Sequence, residues 1–504
     1  MKTTKMDKNS NTNKKIKTHK KIRTILSLSA AMLLMASMCA CSTGQASEAA
    51  DQTQTAEAKS EVKYLTKEDI TVNEEITNDT DGEHAIQVTG EEKEYSNVGV
   101  TKTGEADGDE ADFYGENSAV FAEEEATLTI KDSLIETDGT HANAVFSYGE
   151  GTVVNIADSV IETTGNCSGG LMTTGGGTMN AQNLTINTTG NSSAAIRSDR
   201  GGGTVNVTGG KYTTSGKGSP TIYSTADITV SDAYLESTAS QGVVVEGKNS
   251  VTLKNAELVA DNNTKNSDKS DWYQAVMIYQ SMSGDAAEGT SAFTAEGSTI
   301  TNKNGDVFFV NNTATKIALT DTVITNEDAE GLFLRAAAAG WGNEGSNGGK
   351  VELKASNQKI DGGIVVDDVS ALNLYLADQS VFNGYINSDG QNGDVYVEIE
   401  DGSTWTLTED SYVSGLTVNE GSSIDLNGHK LYVDGKEYAA GSASTGEAFE
   451  IKTSGGDGGG MQAPPDGGGM PGGDGQQAPP DGGQGGQPPE KPDGNPPSKP
   501  GSDN

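Results

Sequence analysis

Hydrophobic and polar residues follow one repeated pattern between Thr127 and Val259. Each copy has two apolar residues separated by one position, then Asp, Asn or Gly two positions later, then an apolar residue three positions beyond. The first copy consists of Leu128, Ile130, Asp132 and Ile135. Six copies begin 23 to 26 residues apart, and others follow at 293–300, 317–324 and 374–381. Apolar residues at every second position are typical of a strand with one buried face, not of a helix.

A repeat of this length without helical segments indicates a solenoid. We therefore predict an all-β fold, a right-handed parallel β-helix with three strands per rung. The Asp, Asn or Gly of each copy would form a corner, because these residues tolerate the left-handed backbone of a sharp bend. Another apolar residue precedes each copy and would point inward from the first strand of its rung. This column comprises Phe121, Phe146, Met172, Ile196, Ile222, Val244, Met277, Phe308 and Phe333.

The N-terminus carries an export signal. Residues 1 to 23 contain nine Lys or Arg, and an apolar run from Ile25 to Ala40 follows. This arrangement is typical of a secretory signal peptide, and the run is too short for a comfortable membrane span. The segment Met38–Ser42 resembles a bacterial lipobox, which implies lipidation of Cys41. Plain secretion with an incidental cysteine is the alternative.

The remaining chain divides by composition. We predict a lipoprotein signal peptide over 1–40, a flexible tether over 41–61, an N-terminal cap with the first rungs over 62–118, the β-helix over 119–451 and a disordered tail over 452–504. The tail is rich in Gly, Pro, Asp and Gln and has no fixed triplet period. The acidic run Asp107–Asp112 lacks the spacing of an EF-hand, so a solvated loop is favoured over a calcium site.

The charge balance limits the classes of partner that the protein can bind. The whole chain has a formal net charge of −39, and removal of residues 1–40, with nine basic residues and one acidic, would leave −47. Such a surface repels nucleic acid and anionic lipid, so contact with a membrane would come only through the lipid anchor. The four histidines are scattered, and Cys167 is expected to be a loop residue at a rung corner. We predict no Cys/His metal cluster, no cofactor and a monomer on the extracytoplasmic face of a bacterial membrane.

Several strings are longer than the repeat requires. They are Ser193–Gly203, Ser219–Ile228, Glu246–Leu253 and Met277–Ala286. Together with the repeat they resemble bacterial surface β-helix proteins of the pectate-lyase-like, adhesin-like class, over about residues 95–390. The segments Asp401–Val418 and Ser423–Gly428 are similar to the C-terminal rungs of autotransporter adhesin passengers. The resemblance implies the fold and a location at the cell surface, but no particular ligand.

Three insertions border the column of first strands in adjacent rungs. They span residues 261–274, 279–290 and 335–349, and insertions in solenoids gather on the working face. The aromatic residues in these loops are Trp272, Tyr273, Tyr279 and Trp341, which include two of the three tryptophans of the chain. Flat aromatic rings suit the apolar face of a sugar, so these residues are candidate ligand contacts. The alternative is that both tryptophans form a lid over Ile278, Phe309 and Leu334.

These features favour a non-catalytic surface protein that binds a glycan or a protein of a host or neighbouring cell. The alternative is a polysaccharide lyase or glycoside hydrolase. A lyase needs a basic residue to abstract a proton, and a hydrolase needs grouped carboxylates. Arg197, Asp199 and Arg200 form the only compact mixed-charge group, which a surface ion pair explains as well. The acidic pair Asp367–Asp368 has no accompanying His or Arg, so we predict no enzyme.

Overall fold

A computed structural model describes residues 63–452 except 266, 391 and 443. The predicted signal peptide, Cys41 and tether lie outside the described residues, as does the predicted tail beyond residue 452. None of the helices in the described part of the chain is long and apolar enough to cross a membrane.

The described chain is a parallel β-helix with three strands per rung, as the repeat predicts. Each face is a stack of parallel strands in which a strand pairs with its counterparts one rung earlier and one rung later. The first face has eleven strands. They are Ile86–Thr89, Val120–Glu123, Val145–Tyr148, Leu171–Thr174, Ile196–Ser198, Ile222–Ser224, Val243–Glu246, Gln274–Tyr279, Asp306–Asn311, Leu334–Ala336 and Ile364–Val366.

The second face follows directly in each rung. Its strands are Glu92–Ser96, Thr127–Lys131, Val153–Ala157, the first halves of Gly177–Thr188 and Gly203–Thr214, Asp227–Ser231, Ser250–Lys254, Thr290–Glu296, Ala314–Thr320, Lys350–Ser356, Ala371–Ala377, Asp394–Ile399 and Gly415–Val418.

The third face completes each rung. Its strands are Glu74–Asn78, Val98–Lys102, Leu134–Thr137, Val160–Thr163, the second halves of Gly177–Thr188 and Gly203–Thr214, Tyr234–Ser237, Glu257–Ala260, Thr299–Asn302, Val323–Asn326, Lys359–Asp361, Val381–Gly384, Thr404–Leu407 and Ser423–Asp425.

The predicted corner between the second and third faces is confirmed. Asp132, Asp158, Asn183 and Asp232 have φ between 49° and 55°, in the left-handed region. The apolar residues on either side of this corner stack in register and are buried; Leu128, for example, pairs with Val154. A rung with Leu353 and Ala355 before the corner residue Asn357 extends the pattern beyond the copies found in the sequence.

The predicted inward column of the first face is wrong at several positions. Ile196, Ile222 and Phe308 lie in register and point into the core, and Phe333 also packs there, one position before the inward residue Leu334. Phe121, Phe146, Met172, Val244 and Met277 lie on the outer side. Their inward counterparts are Val120, Val145, Leu171, Val243 and Val276. The outer side is itself covered, so both sides of these strands are apolar.

The first described residues pack on the outside of the stack, whereas the last strands continue it and bury Val413, Leu431 and Val433 in its core. Residues Lys67–Asp69 form a 3-10 turn, and Lys67 makes ion pairs with Glu136 and Glu162 on the third face. The last strands are Ser411–Val413, Leu431–Val433 and Lys436–Glu437, and the last of these pairs antiparallel. Antiparallel pairing ends the run of parallel ladders at this end.

Candidate functional site

The outer side of the first face carries a row of large side chains. In register from rung to rung it comprises Phe121, Phe146, Met172, Arg197, Tyr223, Val244, Met277, Phe309 and Arg335. Residues 105–118, with the helix Asp109–Phe113, cover its first part, and we call them the N-terminal cover. Residues 261–273 and 337–349 cover its later part and form the C-terminal cover.

In the C-terminal cover, each tryptophan packs on an aromatic ring of the outer row or its strand. The ring centroids of Trp272 and Phe309 are 5.5 Å apart. The ring of Trp341 meets Tyr279 edge-on at 5.2 Å. Phe309 is fully buried beneath this layer. The tryptophans therefore act as a lid, with Phe309 as a predicted partner, whereas Ile278 and Leu334 are not partners because they point into the core.

A buried ion pair fixes the inner edge of this lid. Arg335 Nε donates a hydrogen bond to Asp306 Oδ2 at 2.6 Å, and the Asp306 side chain is only 3% exposed. The guanidinium carbon of Arg335 lies 4.5 Å from the ring centroid of Trp272. A planar, weakly hydrated cation against an aromatic face holds the ring in place. Trp272 is thus held between Phe309 and Arg335.

The four aromatic residues chosen from the sequence line one cleft. Trp272, Tyr273, Tyr279 and Trp341 border a cavity of about 110 Å³ whose other walls include Val244, Met277 and several polar side chains. The polar lining residues are Gln241, Asn262, Thr264, Lys265, Ser267, Ser270 and Gln274. All three insertions thus lie beside the first face, and each supplies at least one residue to this cleft.

One buried amide in the cleft lacks a partner. Gln274 is 2% exposed, and its Oε1 accepts no hydrogen bond among the described residues. A buried acceptor without a donor is costly, and such groups are uncommon in native proteins. Lys265 stands at the rim, 3.2 Å from Asp271 and over the ring of Tyr273.

Two tyrosines that line the cleft, Tyr223 and Tyr279, hold a buried carboxylate beneath it. The hydroxyls of Tyr223 and Tyr279 both donate to Glu246 Oε2, the latter at 3.0 Å. Burial, followed by the charge of Glu246, raises the pKa of both tyrosines well above its usual value. Both phenols therefore keep their protons and remain donors. This trio was missed in the sequence because Tyr223 and Glu246 lie one rung apart and outside the inserted loops.

The N-terminal cover is built from the acidic run. The predicted solvated loop is wrong for most of Asp107–Asp112, because the residues from Asp109 onward form the helix Asp109–Phe113, while Asp107 is exposed. Arg200 lies between Asp109 and Asp285, at 2.9 and 2.7 Å, and its guanidinium carbon lies 3.6 Å from the centre of the Phe113 ring.

Arg197 and Asp199 form the centre of this network. Arg197 Nη2 lies 2.7 Å from Asp199 and 3.4 Å from Asp112, and the side chains of Arg197 and Asp199 are 12% and 5% exposed. The predicted surface ion pair is therefore a buried network under the helix. Burial raises the pKa of Asp199 to about 6 despite Arg197. The pKa of Asp112 falls to about 2, since the charge of Arg197 and the contact with His141 outweigh the burial of this carboxyl.

The carboxylates of this face are held by neighbours within the chain. Asp199 accepts from Arg197, Asp306 accepts from Arg335, and Glu246 accepts from two tyrosines. Asp367, from the predicted acidic pair, accepts the amide of Ala338 at 2.7 Å and so braces the C-terminal cover. A hydrolase needs one carboxyl to protonate the leaving group and a second to activate water or attack, both open to substrate.

Cys167 lies at a rung corner as predicted, with φ of 54°. The prediction of no Cys/His metal cluster did not foresee that the side chains of Asp112, His141 and Cys167 converge. His141 and Cys167 are 26 residues apart in the sequence, which is one rung, and this spacing was a usable signal.

Comparisons with known proteins add no information about the function of this chain. No protein-family model matches the chain, and a search of curated proteins gives no match. A chain in the cryo-EM structure of the Vag8–C1 inhibitor complex aligns with 70% of this chain and 99% of its own length, at 16% identity and a TM-score of 0.29. This overlap is too weak to bear on function, which therefore rests on the residues themselves.

Proposed function

We propose that this protein is a non-catalytic, lipid-anchored cell-surface β-helix protein that binds glycan through the cleft of the C-terminal cover. The observation that carries the proposal is the convergence of Trp272, Tyr273, Tyr279 and Trp341 around one cleft. Aromatic rings beside amide and hydroxyl groups provide the two kinds of contact that a sugar ring needs, namely an apolar surface and hydrogen bonds to hydroxyls.

The size of the cleft limits the ligand. Its volume of about 110 Å³ is well below the roughly 300 Å³ at which pockets for drug-sized molecules begin. It would hold one sugar unit, such as the end of a chain, rather than enclose an oligosaccharide. Polar lining residues such as Thr264, Lys265 and Ser270 would supply the hydrogen bonds to its hydroxyls.

The polysaccharide-degrading alternative has less support. The buried carboxylates beside the outer row are engaged by Arg197, Arg335 and the two tyrosines, and the covers lie over them. The negative charge of the chain would also repel polyuronates. Binding without turnover accounts better for aromatic residues at the opening.

The test is a glycan array with the purified full chain, followed by titration calorimetry on any hit. We expect Trp272→Ala and Trp341→Ala to weaken binding by about tenfold or more, which corresponds to about 1.4 kcal/mol. Tyr412→Ala is the matched control, since Tyr412 stacks on Tyr432 at 4.7 Å outside the cleft. Melting curves of each variant separate lost binding from lost folding.

Three outcomes would contradict the proposal. Shortened or unsaturated products after incubation of a hit with the protein would indicate an enzyme. Equal losses in Tyr412→Ala and the tryptophan variants would place the ligand elsewhere. The absence of any glycan ligand would leave a protein of a host or neighbouring cell as the partner, bound through the same face.

The anchor is tested separately. Cys41→Ala should release the protein into the medium or leave it unprocessed, because the acyl chains would supply the membrane affinity. Fractionation of cells that express the wild type, Cys41→Ala or Cys39→Ala checks this. A Cys41→Ala protein that remains as membrane-bound as the wild type would exclude the lipoprotein interpretation.

A further inference from the structure

His141 and Cys167 occupy the same corner of the β-helix in consecutive rungs. Both have a left-handed backbone, with φ of 55° and 54°. The amide of His141 donates to the carbonyl of Asn166, and the amide of Cys167 donates to the carbonyl of Asn191, at 3.0 and 2.8 Å. The imidazole and the thiol are therefore neighbours because the rung spacing places them so.

This corner is rigid. Directly after His141, the amide of Ala142 donates to Ser168 Oγ at 2.9 Å, and the amide of Ser168 donates to Ser193 Oγ at 3.0 Å. Just before the corner, a Cβ at Gly165 would lie 2.0 Å from the carbonyl oxygen of Gly139. Glycine is needed there for the close approach of successive rungs. Side chains on such a corner are held in fixed relative positions.

The N-terminal cover adds a third group. Asp112, in the helix Asp109–Phe113, brings its carboxylate to the pair, so that one ligand atom from each of the three residues lies within 4.8 Å of the other two. His141 Nδ1 is 3.5 Å from Asp112 Oδ1. His141 is 8% exposed, yet this nitrogen makes no hydrogen bond among the described residues. This buried ring nitrogen thus lies beside the Asp112 carboxylate without a hydrogen bond to it, and a bound cation would join the two groups.

We propose that Asp112, His141 and Cys167 bind a zinc ion. Thiolate, imidazole and carboxylate are the three ligand types that zinc takes in proteins. Two tetrahedral ligands at about 2.0 Å from zinc are about 3.3 Å from each other. The Nδ1–Oδ1 distance of 3.5 Å is already close to that value. Calcium and magnesium prefer oxygen ligands, so the sulfur and nitrogen donors select against them.

The surroundings fit a bound cation. Asp107 Oδ1 lies 3.9 Å from Nε2, the other ring nitrogen of His141. At this distance the exposed Asp107 makes no hydrogen bond to the ring and contributes only its negative charge. Arg197 is also near Asp112, but its charge is matched by Asp199 at 2.7 Å. Three protein ligands leave a fourth position for water, and the ion ties the covering helix to two successive rungs.

The test uses metal ions and the purified full chain, stripped with a chelator. Cobalt(II) serves as the spectroscopic probe, since a bound thiolate gives a charge-transfer absorption and tetrahedral sites give intense visible bands. We expect both signals in the wild type and their loss in Cys167→Ser, which leaves Cys39 and Cys41 in place. Calorimetry with zinc should show one ion per chain and a loss of affinity of about tenfold or more in His141→Gln.

Asp109→Asn is the matched control. Asp109 lies in the same helix as Asp112 but pairs with Arg200. The zinc affinity of Asp109→Asn should therefore stay within about twofold of the wild-type value, whereas that of Asp112→Asn should fall. Far-ultraviolet spectra of the metal-free variants check folding independently. A cobalt spectrum without the thiolate band, a band that persists in Cys167→Ser, or equal losses in Asp109→Asn and Asp112→Asn would each overturn the proposal.

Discussion

The N-terminal and C-terminal covers shield the same kind of apolar surface from water in different ways. Both lie on the outer row of the first face, where apolar side chains would otherwise face water. In each, an arginine of that row pairs with a buried aspartate: Arg197 with Asp199 and Arg335 with Asp306. An aromatic ring also stacks on an arginine in each cover, Phe113 on Arg200 and Trp272 on Arg335.

The difference lies in what fills the space between cover and face. In the N-terminal cover, charged groups from the helix Asp109–Phe113 close onto Arg197 and Arg200. In the C-terminal cover, Trp272 packs on Phe309 and Trp341 packs on Tyr279, and a cleft remains beside these rings. One scaffold thus supports a sealed, ionic cover and an open, aromatic one.

The largest expected difference concerns the two arginines. Arg197→Ala leaves Asp199 buried and unpaired and removes a partner of Asp112, so it should cost about 3–5 kcal/mol of unfolding free energy. Arg335→Ala leaves only Asp306 without its charged partner, so the loss of unfolding free energy should be smaller, about 2–3 kcal/mol. Urea denaturation of the purified chain measures both. Lys359→Ala breaks an exposed pair with Asp361 and should change stability by less than about 1 kcal/mol.

If Arg335→Ala proves as costly as Arg197→Ala, the N-terminal cover is not the more ionic of the two. If Lys359→Ala matches either of them, the effects reflect general charge balance and not burial.

The second expected effect is a dependence on pH in the N-terminal cover. The pKa of Asp199, raised to about 6 by burial, lies above its value in the unfolded chain. Between about pH 4 and pH 6 the folded state then binds a proton that the unfolded state has lost, so this group lowers stability as pH rises. Asp199→Asn should therefore become more stable relative to wild type by about 2 kcal/mol from pH 4 to pH 7.

Denaturation of both proteins across this pH range gives the difference directly. A difference that runs in the opposite direction would mean that Arg197 holds the Asp199 carboxyl ionised, with its pKa below the usual range.

The sequence predicts the corners and the second face well because they depend on local chemistry. Asp132 and its equivalents report a left-handed backbone, and alternation is clean where the outer side meets water. On the first face the signal fails. In pairs such as Val120–Phe121 and Leu171–Met172 both residues are apolar, because one faces the core and the other faces a cover. Period-two alternation cannot separate two buried sides.

The residues of the two candidate sites also differ in how far the sequence could predict them. Trp272 and Trp341 could be found from the sequence because insertions interrupt a regular repeat. His141 and Cys167 were within reach, since one rung separates them. Asp112 was not, because its position depends on how the helix docks on Arg197, and this contact lies outside the repeat.

The smallest expected difference concerns the two aromatic rings that stack on arginines. Phe113→Ala removes a ring that is half-buried against Arg200 and should cost about 1 kcal/mol. Trp272→Ala removes the contact with Arg335 and also the packing on Phe309, so it should cost about 2 kcal/mol. Urea denaturation at neutral pH, with Tyr412→Ala as a surface aromatic control, resolves a difference of this size. A larger cost for Phe113→Ala than for Trp272→Ala would show that the helix, and not the tryptophan loop, depends more on its aromatic residue. The C-terminal cover would then be the looser of the two.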